Sequence, residues 1–150
     1  MANHKEHLLY GAAAGAAVYL IDYNLSGREF SVAEFIGAAL SGLVAAKLPD
    51  LIEPAVHPNH RSTFHSVTFS TTALPVAWQW TRGKREEHLK LADKYTSLAA
   101  QAVSEQEKTM WRQKAFWHKV AAGVLLGMVP GYASHLLADA LTPKSLPLFG

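Results

Sequence analysis

The sequence contains no cysteine, which excludes disulfide frameworks, thiolate metal sites and cysteine nucleophiles. Any metal ion must therefore be held by histidine, aspartate, glutamate or water. A nucleophile elbow, a phosphate-cradling glycine loop and a dinucleotide-binding fingerprint are also missing. No basic stripe with interleaved aromatic residues is present and the net charge is only +2, so we do not expect a nucleic-acid partner.

Charged residues are scarce, at 17% of the 150 residues, and four long stretches contain almost none. These stretches are residues 8 to 21, 30 to 48, 63 to 80 and 120 to 138. Each approaches the ~20 residues that a helix needs to cross a bilayer, and none alternates with a strict period of two. The sequence therefore predicts an all-α fold, an antiparallel bundle of four apolar, membrane-embedded helices in a single domain over residues 1 to 150. We expect the first stretch to be retained as structure rather than cleaved as a signal peptide.

Small residues recur at four-residue intervals inside these stretches: Gly11 and Gly15, Gly37 and Ser41, then Gly123, Gly127 and Gly131. This spacing allows helix backbones to approach closely, as they do in membrane proteins. An ordinary soluble bundle with tight helix crossings is the alternative interpretation.

Residues 81 to 119 have a different composition, with nine of the fourteen Lys and Arg residues. We predict a polar helical hairpin inserted between the third and fourth apolar helices, with its charges on a solvated face. The sequence Ser-Glu-Gln-Glu from Ser104 is a capping box that begins the second arm, which we expect to continue into the fourth apolar helix. The positive-inside rule places this hairpin in the cytoplasm.

Counting along antiparallel helices places several polar residues on the side of the bundle opposite the hairpin. The sharpest pattern is Ser-His-Leu-Leu-Ala-Asp, in which His135 and Asp139 are four residues apart and lie on one helix face. This is a common spacing for two ligands of one metal ion, although a hydrogen-bonded helix pair is the alternative. Burying both groups unpaired among apolar neighbours would cost several kcal/mol.

The segment from residue 48 to 66 supplies further polar groups on the same side. Asp50 lies at a helix end where the dipole disfavours an acid, which indicates a compensating positive charge. His60 and His65 flank Arg61, which is suited to bind an anionic oxygen. Ser66 or Thr63 is expected to cap the following helix. We interpret four other histidines as solvated or interfacial residues: His4, His57, His88 and His118.

These motifs resemble the YdjM-type family of membrane-bound, metal-dependent hydrolases. The matching elements are HLLYG (7 to 11), LPD (48 to 50), HRSTFHS (60 to 66) and GYASHLLADALTP (131 to 143). The resemblance covers the chain except residues 81 to 119 and implies a small multi-helix inner-membrane protein with a divalent-metal site. Its histidine and acid pattern is similar to that of zinc-dependent phospholipases C. By resemblance, six residues are carried over as metal ligands: His7, Asp50, His60, His65, His135 and Asp139.

Two positions depart from the family pattern. Ile52 stands where a second Asp is common, with Glu53 next to it, and Phe64 stands where a Thr is common. The first departure leaves the role of Glu53 open, whereas the second is expected to alter packing rather than chemistry.

The expected activity is metal-assisted hydrolysis with one or two divalent ions. Mixed imidazole and carboxylate ligands suit Zn, with Mn or Fe as alternatives. A bound water with a pKa lowered to ~7 would attack a phosphoester or carboxyl ester, with Glu53 as general base and Arg61 stabilising negative charge. The location at a membrane face favours a membrane lipid, or another small or lipid-linked molecule, as the substrate.

Two alternatives keep the same site residues. The first is a soluble all-α zinc phosphodiesterase of the phospholipase C type. The second is a non-catalytic membrane protein in which the metal only ties both termini to the loop.

Overall fold

The computed structural model describes residues 4 to 52 and 66 to 141, and nearly all of these residues are helical. The helices are α1 (His4–Ser26), α2 (Val32–Ala45), α3 (Leu48–Ile52), α4 (Val67–Gln101) and α5 (Glu105–Ala140). No strand occurs in either described range, so the all-α prediction is confirmed.

Serine residues begin three of the helices by accepting a hydrogen bond from a backbone N–H of the first turn. Ser31 Oγ accepts from Glu34 N at 3.3 Å, Ser66 Oγ from Phe69 N at 3.1 Å, and Ser104 Oγ from Glu107 N at 3.2 Å. The predicted start of a helix at Ser104 is confirmed, and Ser66 is the cap of α4.

The polar hairpin is not a separate pair of helices, which corrects the prediction. Its first arm continues the third apolar segment within the 35 residues of α4. Its second arm continues into the fourth apolar segment within α5, as predicted. The chain does not break near residue 81 because Gly83 is the only weak helix former there, and charged residues with good helix propensity follow it.

Glycines bring α1, α2 and α5 together along one row of backbone carbonyl groups. Gly15 of α1 and Gly127 of α5 both pack against the carbonyl group of Ala38 in α2. One turn further along α2, Gly11 and Gly131 pack in the same way against the carbonyl group of Gly42. A Cβ at any of these four glycines would overlap backbone atoms, which confirms the close approach predicted from the small-residue spacing.

The same contacts establish the directions of the helices. Along α2, the partners in α1 run backwards from Gly15 to Gly11, whereas those in α5 run forwards from Gly127 to Gly131. Consecutive long helices therefore alternate in direction, as predicted. The close contact between α2 and α5, however, joins two helices that run parallel.

The distribution of polar and apolar side chains reverses that of a soluble protein. Large apolar side chains on the outer face of α2 are exposed at four-residue intervals: Val32, Ile36, Leu40 and Val44. Charged and polar side chains such as Glu34, Arg85 and His135 are buried. This arrangement is typical of a bundle whose surroundings are lipid.

Two stretches of the described residues, rather than the four predicted, are long and apolar enough to cross a membrane. They are Val32–Ile52, which includes α2 and α3, and Glu105–Ala140. The prediction fails for α1 because residues 8 to 21 are too few to cross a bilayer, and polar residues lie on both sides of them, before Leu8 and from Asp22 onward. It fails for α4 because its apolar part is rich in Ser and Thr and charges begin at Arg82.

A buried group of charges, the ionic cluster (Asp22, Arg28, Glu34 and Arg85), joins α1, α2 and α4. Arg85 Nη2 donates to Asp22 Oδ2 at 2.6 Å and to Glu34 Oε2 at 3.3 Å. Arg28 Nη2 donates to Glu34 Oε1 at 3.2 Å. The predicted solvated face is therefore wrong for Arg85, since Glu34 inside an apolar helix requires a cationic partner.

We predict that Gly127→Ala lowers the free energy of unfolding by about 1 to 3 kcal/mol, because the added Cβ forces α5 away from Ala38. The matched control is Gly83→Ala, where a Cβ would meet no atom within 4 Å. Removing a helix-interior glycine there is expected to leave stability unchanged or to raise it by up to about 1 kcal/mol. Denaturant titration in detergent micelles measures both, and equal effects would contradict the packing.

Replacing Arg85 with leucine is expected to lower the free energy of unfolding by about 3 to 5 kcal/mol, because it leaves Asp22 without its arginine and buried Glu34 with Arg28 alone. The exposed neighbour Arg82 provides the control, and Arg82→Leu should change stability by no more than about 0.5 kcal/mol. Denaturant titration in detergent micelles measures the free energy of unfolding of both variants. A loss for Arg85→Leu no larger than that for Arg82→Leu would show that the ionic cluster contributes nothing to stability.

Candidate metal centre

Three buried side chains with metal-ligating atoms meet at the end of the bundle that is far from the hairpin. The His–Asp cluster (His7, His135 and Asp139) combines one residue of α1 with two of α5. Their exposed fractions are 6%, 0% and 2%. One ligand atom from each lies within 4.8 Å of the other two, so all three can reach a single ion.

The local fold explains why these residues meet. His135 and Asp139 lie one helical turn apart on the same face of α5. Gly131 lies one turn before His135, and Gly11 lies one turn after His7. Because both glycines pack against the carbonyl group of Gly42, α1 and α5 are side by side at this level. His7 therefore faces His135 and Asp139 across the contact between α1 and α5.

Distances within the cluster match the separation of ligands around one ion. His135 Nε2 lies 3.4 Å from Asp139 Oδ2, and His7 Nε2 lies 3.8 Å from Asp139 Oδ1. The two imidazole rings stack with their centroids 4.1 Å apart. Two ligands each about 2.1 Å from a tetrahedral zinc ion are themselves about 3.4 Å apart. Because the nitrogen lone pairs lie in the ring planes, one imidazole would have to rotate out of this stack for both to bind one ion.

Asp50 joins this group from α3. Its Oδ1 lies 3.5 Å from His135 Nε2, and its side chain is 38% exposed. It is thus the accessible member of a site whose other three members are buried.

Burying the Asp139 carboxylate costs free energy that a nearby positive charge would offset. A bound cation or a protonated histidine is able to supply such a charge. Two imidazole nitrogens and a carboxylate form a suitable donor set for Zn, Mn or Fe. The residues present therefore fit a divalent ion, whereas in the alternative interpretation a histidine ring N–H donates a hydrogen bond to Asp139.

Of the predicted site residues, the structure brings four together: His7, Asp50, His135 and Asp139. The other four lie outside the described residues: Glu53, His60, Arg61 and His65. Their roles, and that of His57, stay predictions.

Sequence reasoning missed two polar contacts in the described part of the chain. The ionic cluster was signalled only by Glu34, a carboxylate inside an apolar helix. His88 and His118 were predicted to be solvated or interfacial, and their Nδ1 atoms lie 2.8 Å apart between α4 and α5. Their pairing was not predicted, because it depends on the register between the two helices, which no local pattern reveals.

Comparison with known proteins gives one match. Searches of the curated proteins and of the solved structures found none. A family model described as YdjM inner membrane protein matches residues 1 to 150. The match covers the whole chain, confirms the resemblance carried by the motifs and agrees with the exposed apolar faces of the helices. The chain belongs to the YdjM inner membrane protein family.

Proposed function

We propose that the chain is a membrane-bound, metal-dependent hydrolase whose His–Asp cluster holds a divalent ion. The observation that carries the proposal is the burial of two imidazoles and a carboxylate at separations close to a tetrahedral edge. Zinc suits this donor set best, with manganese or iron as alternatives. The cluster accounts for one ion, and a second would need His60 and His65.

Each residue near the cluster has a proposed part in hydrolysis. His7, His135 and Asp139 hold the ion, which when bound supplies Lewis acidity toward water and toward an ester oxygen. Asp50 offers a carboxylate on the accessible side. Glu53 follows Asp50 by three residues and is the proposed general base, and Arg61 binds the developing negative charge.

The reaction is the hydrolysis of a phosphoester or carboxyl ester. The oxygen of a water molecule forms a bond to phosphorus or to the carbonyl carbon, and the bond to the ester oxygen breaks. One proton of the water passes to the general base and then to the departing alkoxide, which leaves as an alcohol. The other water hydrogen stays on the acid product until that acid ionises.

The hairpin is proposed to lie in the cytoplasm, with the site at the other membrane face. The support is the excess of Lys and Arg in residues 81 to 119. Cleavage of the hairpin by protease in inverted vesicles, and its protection in intact cells, is the expected result. The reverse pattern would overturn this orientation.

A non-catalytic membrane protein with a structural metal is the second candidate. The complete burial of His135 favours it, because structural sites are closed to solvent. The two candidates respond differently to metal removal. The structural protein would only become less stable, whereas the hydrolase would lose its turnover.

Elemental analysis of the purified protein is expected to find about one equivalent of Zn, Mn or Fe per chain, or two if a second ion binds. Asp139→Asn removes one charged ligand and should lower the content at the cluster at least about tenfold. His118→Asn, which alters the other histidine contact, should retain the ion. Circular dichroism checks that both variants fold. Absence of metal after reconstitution, or equal content in all three proteins, would remove the basis of the proposal.

Turnover separates the two candidates. The metal-loaded protein should hydrolyse bis(p-nitrophenyl) phosphate or a p-nitrophenyl carboxyl ester, and chelation should abolish this activity. Glu53→Gln should lower turnover at least about a hundredfold while metal content and unfolding temperature stay unchanged. If chelation lowers only the unfolding temperature and neither ester is hydrolysed, the structural candidate is supported and the hydrolase is not.

A further inference from the structure

A groove runs along the polar hairpin between α4 and α5, at the opposite end of the bundle from the His–Asp cluster. This hairpin groove has a volume of about 390 Å³, which lies within the range of small-molecule sites. Its floor is formed by the buried Ala99 of α4 and the buried Ala115 of α5. Because alanine side chains are short, the two helices leave open space above them. The groove is therefore a concave surface on the most polar part of the chain.

Three cationic side chains line the hairpin groove from α5: Lys108, Arg112 and Lys119. Their spacings of four and seven residues place all three on one face of the helix. None of the lining residues, all of which belong to the described part of the chain, is acidic. Like charges on one helix face repel one another, and an anion between them reverses the sign of that interaction. The groove thus has the charge of an anion site.

These cations have little internal pairing. Lys108 Nζ lies 3.3 Å from Glu105 Oε1, but this carboxylate is 85% exposed, and such a surface pair contributes little. Within residues 4 to 52 and 66 to 141, neither Arg112 nor Lys119 forms an ion pair. Asp93 of α4 lies one turn before the lining residue Thr96, yet it forms no ion pair within those ranges either. Arg112 and Lys119 therefore keep their charges available for a ligand.

We propose that the hairpin groove binds a phosphate group. The guanidinium of Arg112 matches two phosphate oxygens with parallel N–H groups, and the lysines add point charges on either side. A phosphate ester carries up to two negative charges and three terminal oxygens, so it is able to meet several of these cations at once. A carboxylate has one charge and two oxygens. The site does not depend on the proposed hydrolysis, which occurs at the His–Asp cluster.

The phosphate group has two sources, a dissolved phosphorylated molecule and the headgroup of an anionic lipid. Lys119 directly precedes the apolar residues that begin at Val120, so a headgroup is able to reach it from the membrane. Lys108 lies eleven residues earlier, which is about 16 Å along the helix axis. That end of the groove is reached from water. Both sources present the same chemistry to Arg112, which lies between the two lysines.

Removing the guanidinium tests the role of charge. Inorganic phosphate is titrated by isothermal calorimetry into the protein in nanodiscs of phosphatidylcholine. Arg112→Gln is expected to lower the affinity at least about tenfold, because the bidentate charge-assisted contact is lost. The matched control is Lys114→Gln, since Lys114 Nζ lies 4.7 Å from the Trp111 ring centroid and the residue does not line the groove. Lys114→Gln should leave the affinity unchanged.

Filling the groove tests whether its shape matters as well as its charge. Ala100→Phe places a ring in the groove from an exposed position of α4 and keeps all three cations. Ser97→Phe places the same ring at a nearby exposed position outside the lining. Only Ala100→Phe is expected to lower phosphate affinity at least about tenfold. Circular dichroism and the unfolding temperature identify any variant that fails to fold, and the exposed Arg112→Gln change then carries the test.

Retained lipid distinguishes the two sources. Native mass spectrometry counts the phosphatidylglycerol kept per chain after extraction from nanodiscs that contain it together with phosphatidylcholine. Loss of inorganic phosphate binding in Arg112→Gln and Ala100→Phe supports a dissolved ligand. Phosphatidylglycerol that these two variants lose, without binding of inorganic phosphate, supports a headgroup. If neither ligand binds, or if either groove variant behaves like its control, the hairpin groove is not a phosphate site and the proposal is overturned.

Discussion

The close approach of α1 and α5 to the carbonyl groups of Ala38 and Gly42 determines the arrangement of the bundle. Between helices in lipid there is little hydrophobic driving force, so association depends on van der Waals contact and polar bonds. Glycine at each crossing allows this contact, since a Cβ would overlap the backbone of α2. One turn beyond the last crossing, the same approach leaves His7 opposite His135. The position of the candidate metal centre is thus a consequence of packing that begins well inside the bundle.

The polar groups of the interior form two separate clusters joined by this packing. At one end the ionic cluster ties α4 to α1 and α2 through Arg85, and at the other end the His–Asp cluster joins α1 to α5. Charged groups at membrane depth are costly unless they are paired, and they commonly mark functional sites. Both carboxylates of the ionic cluster pair with arginine, which accounts for it as structure. The His–Asp cluster combines one carboxylate with two imidazoles, a donor set that suits a metal ion.

Sequence alone predicted the parts that depend on local spacing. Helical periodicity predicted the one-turn spacing of His135 and Asp139 and the close approach at the glycine intervals. The capping-box motif predicted the cap at Ser104. Alternating helix directions placed His7 and Asp50 on the same side, which the structure confirms. Such patterns do not predict contacts between helices that are distant in sequence. The pairing of Arg85 with Asp22 and the parallel contact of α2 with α5 both depend on how the helices align in the folded bundle. Two expected spans failed because polar residues flank the short apolar stretch of α1, and hydroxyl residues interrupt that of α4.

X-ray absorption at the metal edge of the reconstituted protein tests the central claim most directly. If His7, His135 and Asp139 hold the ion, the first shell contains only nitrogen and oxygen. For zinc its distances are about 2.0 to 2.2 Å, with the outer-shell scattering of at least two imidazole rings. His7→Asn should remove one imidazole signal. An all-oxygen shell without imidazole scattering, or an unchanged spectrum in the variant, would contradict the assignment of the His–Asp cluster as the metal centre.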